Sequence, residues 1–469
     1  MRDFLKQISI YGILPVAGKF VGFFLIPIYV RVFSTAEFGM VELLITLAQF
    51  LMFGCNLEFY TAIGRFFYEK ENLEERRKLI STGLMLTFLF TIIVVVISIF
   101  SEDWVMLHYL KSTDYRLAYR LSIVWLFFAA FYTYLSVIPR YDKKPRLYVR
   151  INLASLLLRV GSTIFYVLVL DWGIDGVIAG HITGALTASF LNAIVSWKYL
   201  GLCYDKKMAA DIIKFAVPIV PGLLLVGLWQ PLSRNFVSVF YSLESLGLLA
   251  FALKVTSLML ILNSAIGLAW NPMLFEDHKK TNFRENLKII SQFMGIIIFC
   301  SAIAFSLLSP EITKYIGTTE YESSMILFGF LSFQIGLEIL KRIRGFGPLI
   351  LNKTYLLSLN EILGIMVGVV LLYVLKDFGL VGIGIAFLTP SILKYFFLVG
   401  YTSWAMQHNF YNNNETIYLA MLILSNLMLI YSSSAFYRYS FLAIVMIYSF
   451  YLIHKKFDSL NARVLSIKK

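Results

Sequence analysis

Asp171-Trp172-Gly173-Ile174-Asp175-Gly176 returns 206 residues later as Asp377-Phe378-Gly379-Leu380-Val381-Gly382, and the correspondence runs on through Thr183 and Thr389. A second pair, residues 33–39 (Phe-Ser-Thr-Ala-Glu-Phe-Gly) and 241–247 (Tyr-Ser-Leu-Glu-Ser-Leu-Gly), is spaced by 208. Two matches at nearly one offset mark an internal duplication. Six apolar spans separate equivalent positions. Because six is even, the two halves share one orientation, related by an axis along the membrane normal.

The spans follow from composition. Of 469 residues 59% are hydrophobic and only 15% charged, against about 25% charged in a soluble domain, and the mean hydropathy is +0.76. Continuous apolar runs of about 20 residues match a hydrocarbon core about 30 Å thick, and they are not the alternating segments of an outer-membrane barrel. Spans are expected at 8–32, 40–59, 79–101, 117–138, 148–170 and 174–197, then at 213–240, 247–269, 286–308, 323–343, 355–375 and 378–402. A last hairpin covers 416–433 and 436–453. The reading is an all-α integral membrane protein of about 14 transmembrane helices. Its divisions are an N-terminal six-helix lobe (1–200), a C-terminal six-helix lobe (201–405) and an extra hairpin with a basic tail (406–469).

The net charge of +13 is explained by basic cytoplasmic loops rather than by nucleic acid. With the N-terminus inside, loops assigned to the cytoplasm hold about 29 Lys and Arg against about six outside, so both termini are expected in the cytoplasm. The loop 403–416, with no basic residue, dissents. Cys55, Cys203 and Cys300 lack metal or disulfide spacing and read as small apolar residues. The first apolar run reads as a helix and not a cleaved signal, because it is long and contains Lys19. Neither a phosphate loop nor a nucleophile elbow is present, and connections of about 15 residues are too short for a catalytic domain. No cofactor is expected.

Charge inside a span costs about 2.5–3.5 kcal/mol at a helix centre and so turns to the bundle interior or a wet cavity. Here the deep charges are mostly positive: Lys19, Arg159, Arg234 and Lys254. Gln230 and Arg234, four residues apart, share a helix face and could present an amide and a guanidinium to one ligand. Cations converging in a low-dielectric cavity repel unless an anion enters, which points to an anionic substrate head group. The competing reading of each is a structural ion pair or snorkelling, the latter favoured for Arg120 and Lys394 near span ends. Among the acids, Glu338 precedes Lys341 and Arg342 at salt-bridge spacing and reads as structural; Glu58 stands at the end of a span. Glu42 and Glu361 are possible coupling acids. Gln49, Asn56, Asn263, Gln292 and Asn360 could hydrogen-bond sugars or join helices. Prolines interrupt the first span (Pro15, Pro27) and its counterpart the seventh (Pro218, Pro221, Pro231), a pattern that points to a central site.

Gly12, Lys19, Phe24, Pro27 and Tyr29, then residues 33–39 and Arg65-Phe66-Phe67-Tyr68, resemble the opening of Wzx-type oligosaccharide flippases. Residues 215–222 and Trp270-Asn271-Pro272 resemble the corresponding segments of their second half. The resemblance covers nearly the whole chain. It implies the MOP (multidrug/oligosaccharidyl-lipid/polysaccharide) exporter superfamily, with MATE-like lobes around a central cavity. It further implies translocation of undecaprenyl-diphosphate-linked oligosaccharides across a bacterial inner membrane for surface polysaccharide such as O-antigen. Membrane lipids and other polysaccharide assembly proteins are the implied partners. Many relatives carry an Asp before the arginine of the seventh span, where this chain has Ser233, so the role of that acid does not carry over. The alternatives are a cation-coupled multidrug exporter of the same superfamily, a membrane glycan polymerase or ligase, and a non-transporting scaffold.

Overall fold

The computed structural model describes residues 18, 22–142, 144–261, 283–351, 353, 355–407, 409, 413–431 and 434–467. Lys19, Asn263 and residues 270–272 lie outside them. Among the described residues the ordered structure is helical, and the chain divides into two compact units, residues 1–238 and 239–469.

The first unit contains α1 (Gly22–Val32), α2 (Thr35–Asn56), α3 (Phe59–Phe67), α4 (Leu73–Phe100), α5 (Arg116–Leu135), α6 (Pro145–Ile164), α7 (Gly173–Val195), α8 (Lys206–Ala216) and all but the last two residues of α9 (Val220–Phe240). In α4 the pattern of a soluble helix is inverted. Its large apolar side chains, Leu89, Ile93, Ile97 and Phe100 among them, are exposed, while Thr82, Thr87, Thr91 and Ser98 are buried. Lipid is as apolar as Leu, so burying Leu gains nothing and the small polar residues pack inward. Thr87, Thr91 and Ser98 donate to the carbonyls of Gly83, Thr87 and Val94 respectively, each four residues back, which satisfies their hydroxyls within the helix. Phe59, Phe67, Tyr134, Tyr199 and Ile212 form the unit's main buried cluster, at the α3–α4–α8 end.

The second unit contains α10 (Leu243–Thr256), α11 (Phe283–Leu307), α12 (Ser309–Ile316), α13 (Met325–Arg344), α14 (Tyr355–Val374), α15 (Gly379–Ala405), α16 (Asn413–Tyr431) and α17 (Ala435–Ile467). Its core runs through Phe299, Phe333, Ile339, Tyr395, Tyr418 and Val445.

Both duplicated motifs open helices. Ser34 caps α2 in a reciprocal capping box with Glu37, and Ser242 caps α10 by accepting from the Ser245 amide. Gly173 and Gly379, 206 residues apart, take φ of 56° and 54° as they start α7 and α15, a left-handed conformation that costs any other residue about 1–2 kcal/mol.

Ten helices among the described residues are long and apolar enough to cross a membrane. An eleventh appears if residues 291–307 and α12, bent by 60°, count as one span. The expected 14 is reduced mainly because the spans at 8–32 and 247–269 run into residues outside the described ones. The proline break of the seventh span appears as a 3-10 turn, Val217–Ile219, between α8 and α9. Helix α17 continues to Ile467, well beyond the expected 453.

Candidate functional site

In the first unit α7 crosses α6 on a ridge of glycines one turn apart. A methyl on Gly176 would meet Tyr166 and Trp172, on Gly180 the Thr163 side chain, and on Gly184 the Cβ of Arg159 at 2.7 Å. Small residues every fourth position let two helices approach closely in a membrane. The close crossing brings Arg159, from the middle of α6, against α7 and into a cavity of about 350 Å³. Trp125 and Tyr132 of α5, Asn152 of α6 and His181 of α7 contribute to its wall, together with Gly18, the residue before Lys19. The Trp125 and His181 rings lie 4.6 Å apart between centroids. Tyr132 Oη donates to Asn152 Oδ1 at 2.5 Å, and Asn152 Nδ2 donates to the Tyr148 carbonyl at 2.7 Å, which fixes the amide. Among the described residues no carboxylate forms an ion pair with Arg159. A guanidinium in a cavity walled by aromatic and amide groups is suited to a bidentate oxyanion such as phosphate.

Arg234 is differently placed. Its Nε and Nη2 each lie 3.3 Å from Oε1 of Glu42 on α2, and both side chains are about nine-tenths buried. The expectation of an unneutralised cation at Arg234 is therefore corrected: the second helix supplies its carboxylate, where many relatives of the resembled family would have one beside it at the position of Ser233. Gln230 touches Arg234 through its carbonyl oxygen, 3.4 Å from Nη1, while the residue itself is exposed. Lys254 is half-buried in the last turn of α10, in the second unit.

Glu361 belongs to a four-membered charge cluster in the second unit. Lys341 lies 2.5 Å from Glu338 and 3.0 Å from Glu361; Lys394 lies 2.7 Å from Glu338 and 3.0 Å from Glu361. The Glu338–Lys341 pair is the one its helical spacing predicts. Lys394, its side chain largely buried in this cluster, does not snorkel as expected, whereas Arg120, near the start of α5, keeps its side chain exposed while Glu102 holds it at 3.0 Å. Glu58, in left-handed backbone after α2, accepts hydrogen bonds from Tyr60 Oη at 2.5 Å and Thr61 Oγ1 at 2.6 Å. It borders a smaller cavity of about 90 Å³ with Gln49 and Asn56. Among the described residues no group of His, Cys, Asp or Glu is arranged to hold a metal.

Sequence reasoning found Arg159 but not Trp125, Tyr132, Asn152 or His181. The last two carried a signal, being polar residues deep in apolar spans.

Residues 4–278 match the family of polysaccharide biosynthesis proteins. Comparison with curated proteins gave no match. Among solved structures the chain resembles the lipid II flippase MurJ in an inward closed conformation, with a TM-score of 0.74 at 15% identity over 97% of this chain and 99% of that one. It also resembles an inward-facing multidrug resistance MATE family transporter of the MOP superfamily, with a TM-score of 0.62 at 12% identity over 83% and 96%. The Vibrio cholerae MATE transporter VcmN follows, with 0.54 at 15% identity over 87% and 98%.

Proposed function

The chain belongs to the polysaccharide biosynthesis protein family, and from that premise we propose that it carries undecaprenyl-diphosphate-linked oligosaccharide units from the cytoplasmic to the outer leaflet of a bacterial inner membrane. At the coarser level it is a multi-pass membrane protein of the MOP superfamily, a flippase or transporter and not an enzyme. The observation that carries the finer reading is Arg159, a cation in a walled cavity with no carboxylate paired to it among the described residues. The diphosphate meets this guanidinium, with Lys19 and Lys254 as further cations on the route, while Trp125 and Asn152 offer a ring face and an amide to the glycan. The polyprenyl tail stays in lipid, and two lobes expose the site alternately to each side. Both termini are cytoplasmic. Other polysaccharide assembly proteins supply and receive the cargo.

An exporter of cationic drugs would need available buried acids. Glu42 and Glu361 already hold basic partners, and the cavity beside Glu58, at about 90 Å³, is well below the 300–1,000 Å³ of a drug site. If Glu42 or Glu361 couples transport to protons, uptake there must open an ion pair. The test is Arg159→Ala: surface glycan is lost, with protein in the membrane at wild-type level and lipid-linked glycan accumulating inside. Normal glycan display in that variant refutes the assignment.

A further inference from the structure

The three helices that build the Arg159 cavity have counterparts in the second unit, α13, α14 and α15. The left-handed glycines that open α7 and α15 are 206 residues apart, which sets Lys394 against Ala188, a residue of the cavity wall. Helices α5 and α13 begin 209 residues apart, at Arg116 and Met325. That offset sets Glu338 against Ala129 and Lys341 against Tyr132, both also in the wall. The contact of a cation with a glycine recurs with the helices exchanged. In the first unit Arg159 of α6 lies over Gly184 of α7, and in the second Lys394 of α15 lies over Gly364 of α14, its Cδ 2.7 Å from where a methyl would be. Where the first unit has open space, the second has two ammonium groups, each within 3.0 Å of both carboxylates. Two carboxylates bridging two lysines present the negative charge that a bound diphosphate would bring.

We propose that the Glu338–Lys341–Glu361–Lys394 cluster is a built-in occupant of the second unit's counterpart of the anion cavity. Glu338 and Glu361 stand in for the phosphates, so that the second unit holds a latent diphosphate site, closed by its own carboxylates. The inference rests on the first unit's cavity being an anion site. It makes the duplicated halves unequal, with one half open to the cargo's head group and the other filled by its own side chains. Each lysine has three donors and no acceptor, so removing the carboxylates' charge leaves both ammonium groups with donors to spare in a site only 12–14% exposed at the lysines.

The test uses the full-length protein in nanodiscs, titrated with inorganic pyrophosphate in a calorimeter. Glu338→Gln/Glu361→Gln is expected to bind one equivalent more than the wild type, and that equivalent persists when Arg159→Gln is added and disappears when Lys341→Met/Lys394→Met is added. An unchanged stoichiometry in the folded double variant overturns the proposal. Should the double variant fail to fold, Glu361→Gln alone decides: a pyrophosphate-dependent rise in melting temperature beyond that of the wild type supports it, and no added rise overturns it. The premise fails separately, if Arg159→Gln leaves the wild-type equivalent intact. Repeating the titration with a polyprenyl diphosphate in the nanodisc lipid distinguishes a site open to a lipid head group, which responds to both probes, from one open only to free pyrophosphate.

Discussion

Replacing Glu42 with Gln removes the carboxylate that neutralises Arg234 while keeping its shape. At 3.3 Å and an effective dielectric of about 20, the Coulomb attraction between unit charges is about 5 kcal/mol. Desolvation of both groups offsets much of it, so the net value of the intact pair is small. Breaking it is another matter, because a guanidinium about nine-tenths buried is left without a counter-charge, which costs about 3–5 kcal/mol. Glu42→Gln and Arg234→Gln should each destabilise the protein by about that much. The double variant, with both charges gone, should lose no more than either single variant, leaving a coupling of about 3 kcal/mol or more. Exchanging the two charges, Glu42→Arg with Arg234→Glu, should recover part of the loss. The assay is reversible unfolding of the purified protein in detergent, carried round the double-mutant cycle. Losses that add to within about 0.5 kcal/mol would show that the two side chains do not hold each other, and would return Arg234 to the set of cations free to meet a substrate.

Gly180→Ala pushes a methyl into the Thr163 side chain and should cost about 1–3 kcal/mol by overpacking. Its partner Thr163→Ala in the same background should relieve part of that, read by melting temperature. Ser34→Ala removes the hydroxyl that accepts from the Glu37 amide and should cost about 1 kcal/mol, with faster amide exchange confined to the first turn of α2. Asp142, in the connection after α5, is partly buried, which pushes its carboxyl up. Lys144 at 2.7 Å, the Tyr199 hydroxyl at 2.6 Å and Lys198 at 3.2 Å outweigh that and hold it below the usual range. Its contribution to stability is therefore complete above the ordinary carboxylate pKa of about 4 and fades as pH falls through the lower, folded value. Asp142→Asn should flatten that acid limb in a pH series of melting curves, and an unchanged limb refutes the assignment.

What could be read from residue order was local. The spans announced themselves by length, and the duplicated motifs survived because Ser34, Ser242, Gly173 and Gly379 answer to the few residues around them: a cap needs a hydroxyl, and a left-handed turn needs glycine. Pairings were hidden where the partners are distant. Glu42 lies 192 residues before Arg234, and Lys394 meets carboxylates 56 and 33 positions away, so both cations read as solitary. Arg159 was found because depth in a span is a one-dimensional property. The ring and amide that share its cavity were not, since which face of a helix meets which neighbour is decided by packing. The glycines of α7 could have revealed that crossing, being spaced by four.

That spacing has a mechanical meaning. Four residues of helix are about 6 Å, so Thr163 and Arg159 of α6 sit in two notches cut at that interval along α7, at Gly180 and Gly184, with no room for even a methyl between them. A rack with such teeth does not slide by 1 or 2 Å; it holds its seat or skips a whole notch. Whatever stroke carries cargo across the bilayer, Arg159 should ride through it at a fixed height on its own helix pair, and the travel must be taken up at joints elsewhere.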